Sequence, residues 1–108
     1  MRRGDFVTIA LQGDFGKPRP ALIIQTDTFN EHPTVTLLPL TTTIVDALLF
    51  RVTVTNSEKN GLTQTSQIMI DKAVTVQREK IGKTFGHIDS DIMINVERSL
   101  ALFLGIAE

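Results

Sequence analysis

Two hydrophobic rhythms divide the chain. Up to about residue 88 apolar residues fall at every second position or in short runs, and beyond it they recur every third or fourth residue. Val7, Ile9 and Leu11 alternate with Thr8, Ala10 and Gln12, the pattern of a half-buried strand. Residues 12–18, with two glycines and a proline, read as a loop. Residues 20–24 form a continuous apolar run flanked by breakers, which predicts a buried central strand. The polar stretch 26–33, with Asp27, Asn30 and Pro33, leaves room for a single helical turn. Residues 34–40 read as the next strand, with Pro39 at its end or on an edge because proline has no N–H to give a ladder.

Phe50, Val52 and Val54 alternate against Arg51, Thr53 and Thr55, giving another strand. Residues 56–61 are rich in turn formers, and Asn60-Gly61 is the strongest marker among them. Residues 67–70 read as a short strand ending at Asp71, and residues 74–76 as a further extended piece. Residues 81–88, with Gly82 and Gly86, are expected to close a short hairpin. The period then changes: Ile92, Val96, Leu100 and Phe103, with Met93 and Leu104 beside them, predict a helix from Asp89 or Ser90 to Leu104. Asp89 is its expected N-cap, its carboxylate accepting a free backbone N–H, and Gly105 is placed to end it. Five to seven short strands with one terminal helix make a strand-rich α+β fold, a single domain over residues 1–108.

Composition narrows the function. Eleven basic against twelve acidic residues give a formal charge of −1, which argues against a non-specific nucleic-acid coat that relies on many phosphate contacts. A groove holding a few nucleotides remains compatible with it. There are six Phe but no Tyr or Trp, so base stacking would fall to Phe, His or Arg. Cysteine is absent, which rules out disulfides and thiolate metal sites and fits a reducing compartment. No apolar run approaches the ~20 residues of a membrane span, and neither a secretory leader nor membrane insertion is expected.

Candidate chemistry gathers at Lys17-Pro18-Arg19-Pro20 and at Pro39-Leu40-Thr41-Thr42-Thr43. A guanidinium can grip two phosphate oxygens at once, and a threonine hydroxyl can donate to a third. Arg19 sits between two prolines that fix the backbone on either side. It is read either as a surface arginine at a strand start or as a phosphate-gripping group. The three threonines read either as strand termination or as a hydroxyl cluster facing a ligand, provided the two strands are neighbours. Asp71 is a turn-initiating aspartate or a polar group facing a groove. His32 and His87 stand alone, and no metal, dinucleotide, phosphate-loop or nucleophile-elbow motif occurs.

The order of these pieces resembles one known family. Arg3-Gly4-Asp5, then Arg19-Pro20-Ala21-Leu22-Ile23-Ile24-Gln25, Phe29-Asn30, Leu38-Pro39-Leu40-Thr41, Asn60-Gly61-Leu62, Ile70-Asp71 and Leu102-Phe103-Leu104-Gly105-Ile106 are similar to the MazF/PemK (Kid) toxin endoribonucleases over essentially the whole chain. The resemblance implies an SH3-like small β-barrel with a C-terminal helix, acting as a cytoplasmic homodimer. It also implies sequence-selective, metal-independent and cofactor-free cleavage of single-stranded RNA, with a cognate antitoxin as protein partner. Arg19 and Thr41 match the arginine and threonine that act at the scissile phosphate in that family. Lys17, Thr42, Gln67 and Asp71 are expected to contact the substrate. Met69 stands where some relatives carry a further arginine, so that role does not transfer. Two other functions stay open on the same fold: a CcdB-like gyrase poison, although the chain ends Leu104-Gly105-Ile106 with no tryptophan, and a non-catalytic relative that only binds RNA or a partner.

Overall fold

The computed structural model describes residues 1–10, 17–47 and 49–107. The strand that alternates at Val7 and Ile9 is β1 (Asp5–Ala10), followed by β2 (Pro18–Ile23), β3 (Thr34–Thr41), β4 (Arg51–Val54), β5 (Ser66–Met69), β6 (Val74–Gln77), β7 (Ile81–His87) and a helix, α1 (Ser90–Phe103). The expected continuation of the first strand through Leu11 and Gln12, and the loop over 12–16, lie outside the described residues. Short 3-10 turns at Asp27–Phe29, Ile70–Lys72 and Arg78–Lys80 link the strands. The strand order is β4-β5-β3-β2-β1-β7, all antiparallel, and β6 pairs with the first half of β3.

Alternation along the strands sorts side chains onto two faces. Phe6, Leu22, Leu38, Leu40, Val54, Ile68 and Ile70 point inward, where Met93 and Val96 of α1 meet them; Val7, Ile9, Ala21, Ile23, Val35 and Leu37 form a second cluster on the other face. Phe6 and Val7 are consecutive yet both fully buried, because the sheet is covered on both faces and each enters a different cluster.

The sheet does not close by a strand ladder, since β4 and β7 are not paired. A turn bridges the gap instead. The His87 N–H donates to the Lys59 carbonyl at 3.1 Å, so the segment after β4 lies on the free edge of β7. Asn60 organises that turn from a buried position: its Oδ1 accepts from the N–H groups of Ser57 (2.9 Å) and Leu62 (3.0 Å), and its Nδ2 donates to the Thr55 carbonyl at 2.9 Å. Gly61 follows with φ +69°. A Cβ on Gly61 would run into the Phe85 carbonyl oxygen, and one on Gly86 into the Asn60 carbonyl oxygen. The Asn-Gly signal was therefore a true turn, and close backbone approach is the reason for the glycines.

Several expectations are corrected. Residues 81–88 do not close a hairpin; the turn at Arg78–Lys80 carries the chain across so that β7 pairs β1 rather than β6. Pro39 lies within central β3, not at an edge. The Ile24 N–H donates to the Thr36 carbonyl, so even-numbered residues of β3 turn their backbone polar groups to β2 and Pro39 faces the other side. On that side β6 pairing ends at Leu37 and β5 pairing begins at Leu40, so the missing N–H falls in the gap. Asp89 does hold the N-cap position, but its carboxylate takes Lys59 Nζ at 2.7 Å rather than a helix N–H. Gly105 (φ +73°) ends α1 as expected: Ile106 N–H donates to the Ala101 carbonyl (2.8 Å) and Gly105 N–H to that of Leu102 (3.2 Å), a Schellman pair. Phe103 and Leu104 are exposed rather than part of the buried face.

Gly86→Ala is expected to destabilise the fold by about 1–3 kcal/mol, because a backbone carbonyl must move. Gly105→Ala, which meets nothing within 4 Å, incurs only the left-handed backbone penalty of about 1–2 kcal/mol. Urea unfolding of the two variants would expose a mistake in the closure if Gly86→Ala proved neutral.

Candidate active site

Arg19 and Thr41 lie at the ends of β2 and β3 where the two strands part. Ladder partners in this pair run Ile23–Leu37, Leu22–Leu38 and Ala21–Pro39, and there they stop. The reason lies in the prolines. The Gly4 N–H donates to the Ile23 carbonyl, so odd residues of β2 face β1 with their backbone; Pro18 and Pro20 thus face β3, and neither has an N–H to offer. Pairing with β1 continues regardless, through Thr8–Pro20, Ile9–Arg19 and Ala10–Pro18. One side of β2 stays stitched while the other opens.

The β2–β3 register, continued two positions past the last ladder pair, would set Arg19 opposite Thr41 on one face. Arg19 is exposed and Thr41 half-buried. Thr41 Oγ1 accepts from the Thr43 N–H at 3.1 Å, which fixes the oxygen and leaves the hydroxyl proton to donate elsewhere. Lys17 is exposed and shares Arg19's side of the strand by the two-residue period. Thr42 turns the opposite way, into a shallow hollow with Pro20 and Leu62.

Gln67 pairs with Thr41 in the β3–β5 ladder but is buried, 3% exposed, and its amide is committed. Its Oε1 accepts from the Val45 N–H (3.1 Å), while Nε2 donates to the Val45 carbonyl (2.9 Å) and to Thr53 Oγ1 (3.2 Å). It therefore clamps the segment that leaves Thr41. Asp71 stands apart from the pair, in the 3-10 turn that follows β5. Its partner is Arg51, Nε to Oδ1 3.2 Å, with side chains only 13% and 23% exposed.

Arg51 is the residue the sequence reading passed over. It is in register with Met69 on the neighbouring strand, so a guanidinium stands beside Asp71 even though position 69 is methionine. The only sequence signal was its place on the polar side of the β4 alternation. Arg3-Gly4-Asp5 proves to be a clasp: Arg3 Nη2 meets Glu97 at 2.7 Å, Gly4 has φ +92°, and Asp5 Oδ1 meets His87 Nδ1 at 2.8 Å. His32 is bound up with Thr34. No group of three or more His, Asp or Glu among the described residues could hold a metal ion.

Comparisons agree along the chain. The sequence model of the family described as PemK-like, MazF-like toxin of type II toxin-antitoxin system matches residues 2–104. The chain is 44% identical over 108 residues to the probable endoribonuclease MazF of Mycolicibacterium smegmatis, covering 99% of each. It is 25% identical over 113 residues to endoribonuclease EndoA of Bacillus subtilis, covering 100% of this chain and 97% of that protein. Its fold matches a mycobacterial endoribonuclease solved with its cognate antitoxin (TM-score 0.81, 23% identity, 100% of this chain and 98% of that one). It also matches a MazE–MazF structure from Deinococcus radiodurans (TM-score 0.81, 18% identity, 99% and 97%).

Gln67→Leu is expected to free the Val45 amide, accelerating its hydrogen exchange by about tenfold or more and lowering stability by about 1–2 kcal/mol. Unchanged exchange at Val45 would remove the clamp.

Proposed function

The chain belongs to the PemK-like, MazF-like toxin family of type II toxin-antitoxin systems, and on that premise we propose how it works as an endoribonuclease. It cuts single-stranded RNA in the cytoplasm, at selected sequences, by attack of a ribose 2′-hydroxyl on the adjacent phosphorus. The 2′-oxygen–phosphorus bond forms as the bond to the 5′-oxygen breaks, in line. The 2′ proton leaves to a base, the 5′-oxygen takes up a proton, and the products are a 2′,3′-cyclic phosphate and a 5′-hydroxyl.

What supports this reading is the β2–β3 register, which, continued past Ala21–Pro39 to the open end of the two strands, would bring Arg19 opposite Thr41. Charge grows on the non-bridging oxygens in the transition state. A guanidinium offsets it without changing its own protonation, and a hydroxyl whose oxygen is already fixed adds a directed donor. Lys17 extends the contact along Arg19's side of the strand, and Thr42 meets the RNA from the opposite face. Gln67 serves by holding the segment after Thr41, and the Arg51–Asp71 pair lies further along the groove. Arg19 and Thr41 supply the charge stabilisation of this step, and no part of the proposed reaction is routed through a metal or cofactor. The family match favours this chemistry over the gyrase-poison reading raised by the shared fold, against which the C-terminal sequence, without tryptophan, also counts.

The protein works as a homodimer held in check by an antitoxin protein. Exposed Leu49, Phe50, Leu102 and Phe103 surround a hollow of about 440 Å³, with the Phe50 and Phe103 rings 6.5 Å apart, an apolar surface suited to pairing. Because Phe50 adjoins Arg51, pairing there brings the Arg51–Asp71 end of the groove close to the seam. No helix among the described residues is long and apolar enough to cross a membrane.

Arg19→Ala and Thr41→Val should each cut kcat/KM on a defined RNA by about 100- to 1,000-fold with the fold intact, and a 2′-deoxy residue at the cut site should abolish cleavage. Chelator should leave the wild-type rate unchanged. Wild-type rates in the folded variants would sink the assignment; no cleavage by the wild type would leave a silent binder. Phe103→Asp, at an exposed site, should shift the sedimenting species from dimer to monomer at micromolar concentration. A persistent dimer would place the interface elsewhere.

A further inference from the structure

We infer that the mouth of the sheet beside Arg19 and Thr41 is a nucleobase subsite, one that seats a base flanking the cut and contributes to sequence choice. The inference rests on the ribonuclease reading above. The hollow measures about 270 Å³ and is lined by Pro20, Thr42, Leu62, Thr63, Ser66 and Phe85, with Thr8 and Gly61 completing it. It is smaller than the roughly 300–1,000 Å³ of sites for drug-sized ligands, in keeping with one flat ring system.

Its position ties it to the chemistry. Pro20 and Thr42 are the chain neighbours of Arg19 and Thr41, and alternation turns them to the inner face while the reacting pair faces outward. A phosphate held by the outer pair therefore leaves an attached nucleoside within reach of the inner hollow. Its lining decides what enters. No described residue lining it carries a charge, so its walls suit an uncharged ring better than a phosphate. Pro20, Leu62 and Phe85 form apolar walls, and the Phe85 ring is held by a stacked contact with Phe6 (centroids 6.1 Å, planes 16° apart).

The rim supplies selectivity. Ser66 Oγ donates to the Gln64 carbonyl and Thr8 Oγ1 accepts from the Lys83 N–H, so both are partly committed. Thr42 and Thr63 have no hydrogen-bond partner among the described residues, and a hydroxyl can donate to or accept from a base edge. The wall is also rigid. Gly61 and Gly86 let the 60–63 segment lie directly on β7, and the buried Asn60 amide pins it there. A base meets a formed site rather than one it must order.

The test uses a defined single-cut RNA in which each ribonucleotide flanking the cut is replaced in turn by an abasic ribose, which keeps the phosphate and 2′-hydroxyl. In the wild type, one of the two replacements should lower kcat/KM by roughly 5- to 150-fold, the range of a lost base stack. In Phe85→Leu, checked for folding by thermal melt, that penalty should shrink towards one. Thr42→Val and Thr63→Val, on the exposed rim, should change the ranking of the four bases at that position while still yielding a 2′,3′-cyclic phosphate. If the wild type cuts but the abasic penalty is absent, or is the same in Phe85→Leu, or the ranking is unchanged in both threonine variants, the subsite is wrong and the ribonuclease reading stands. If the wild type cuts no RNA, both fall together.

Discussion

Two prolines that face β3 without an N–H to give it decide the working end of this molecule. Pro18 and Pro20 leave the β1 side of β2 fully paired, down to Ala10–Pro18, while the β3 side unzips after Ala21–Pro39. Arg19 is thereby anchored on a strand that cannot move freely, although it borders an opening. Thr41 is anchored from the other direction, by its pairing to Gln67 on β5. A gap whose two walls are held by different neighbours keeps its width without a ligand. Electrostatic stabilisation of a transition state needs that property, because donors that must reorganise lose most of their advantage.

The opposite problem, a sheet with free edges, is solved by a turn. A small barrel can abolish its edges by closing the ladder, but here the β4 and β7 edges are bridged through Asn60-Gly61 and the Lys59 carbonyl. The bridge depends on a buried amide, which is costly only when left unpaired: an unsatisfied buried group costs about 1–3 kcal/mol, against about 0.5–1.5 gained per bond made. Asn60 avoids the penalty with bonds to Thr55, Ser57 and Leu62, and no buried side-chain polar atom among the described residues lacks a partner. Closure by a turn also leaves the mouth open between Thr42 and Thr63, where a ladder would have filled it.

What could be read from the sequence follows the range of each interaction. Strand periods, the α1 spacing, the Asn60-Gly61 turn and the Gly105 stop depend on neighbours within a few residues, and all were legible. The pairing of β2 with β3, on which the Arg19 and Thr41 reading depends, was legible too, because consecutive strands commonly pair. Long-range choices were not. Nothing local tells Asp89 to prefer Lys59, thirty positions away, over its own helix. Nothing local sends β7 to β1, or sets Arg51 beside Asp71 across two strands. Gln67 misled for a related reason: a polar residue on a strand near the site looks like a ligand contact until its burial and its bonds to Val45 are seen.

Net charge explains why a neutral hollow beside a cationic rim makes sense. With twelve acidic against eleven basic residues, net charge supplies no long-range attraction for RNA, and in the proposed reading a few local cations such as Lys17 and Arg19 carry the phosphate contact. Each such contact to a single strand contributes a salt slope of only about 0.7, so the sequence-independent part of binding is small. An enzyme of this kind cannot hold any RNA well by its backbone alone. Productive residence at the cut must then come from the bases, through contacts that desolvate apolar walls and satisfy hydroxyls rather than attract charge. Weak phosphate attraction therefore sharpens discrimination: a wrong base loses its stack and its rim bonds, and little else remains to keep the strand in place for attack.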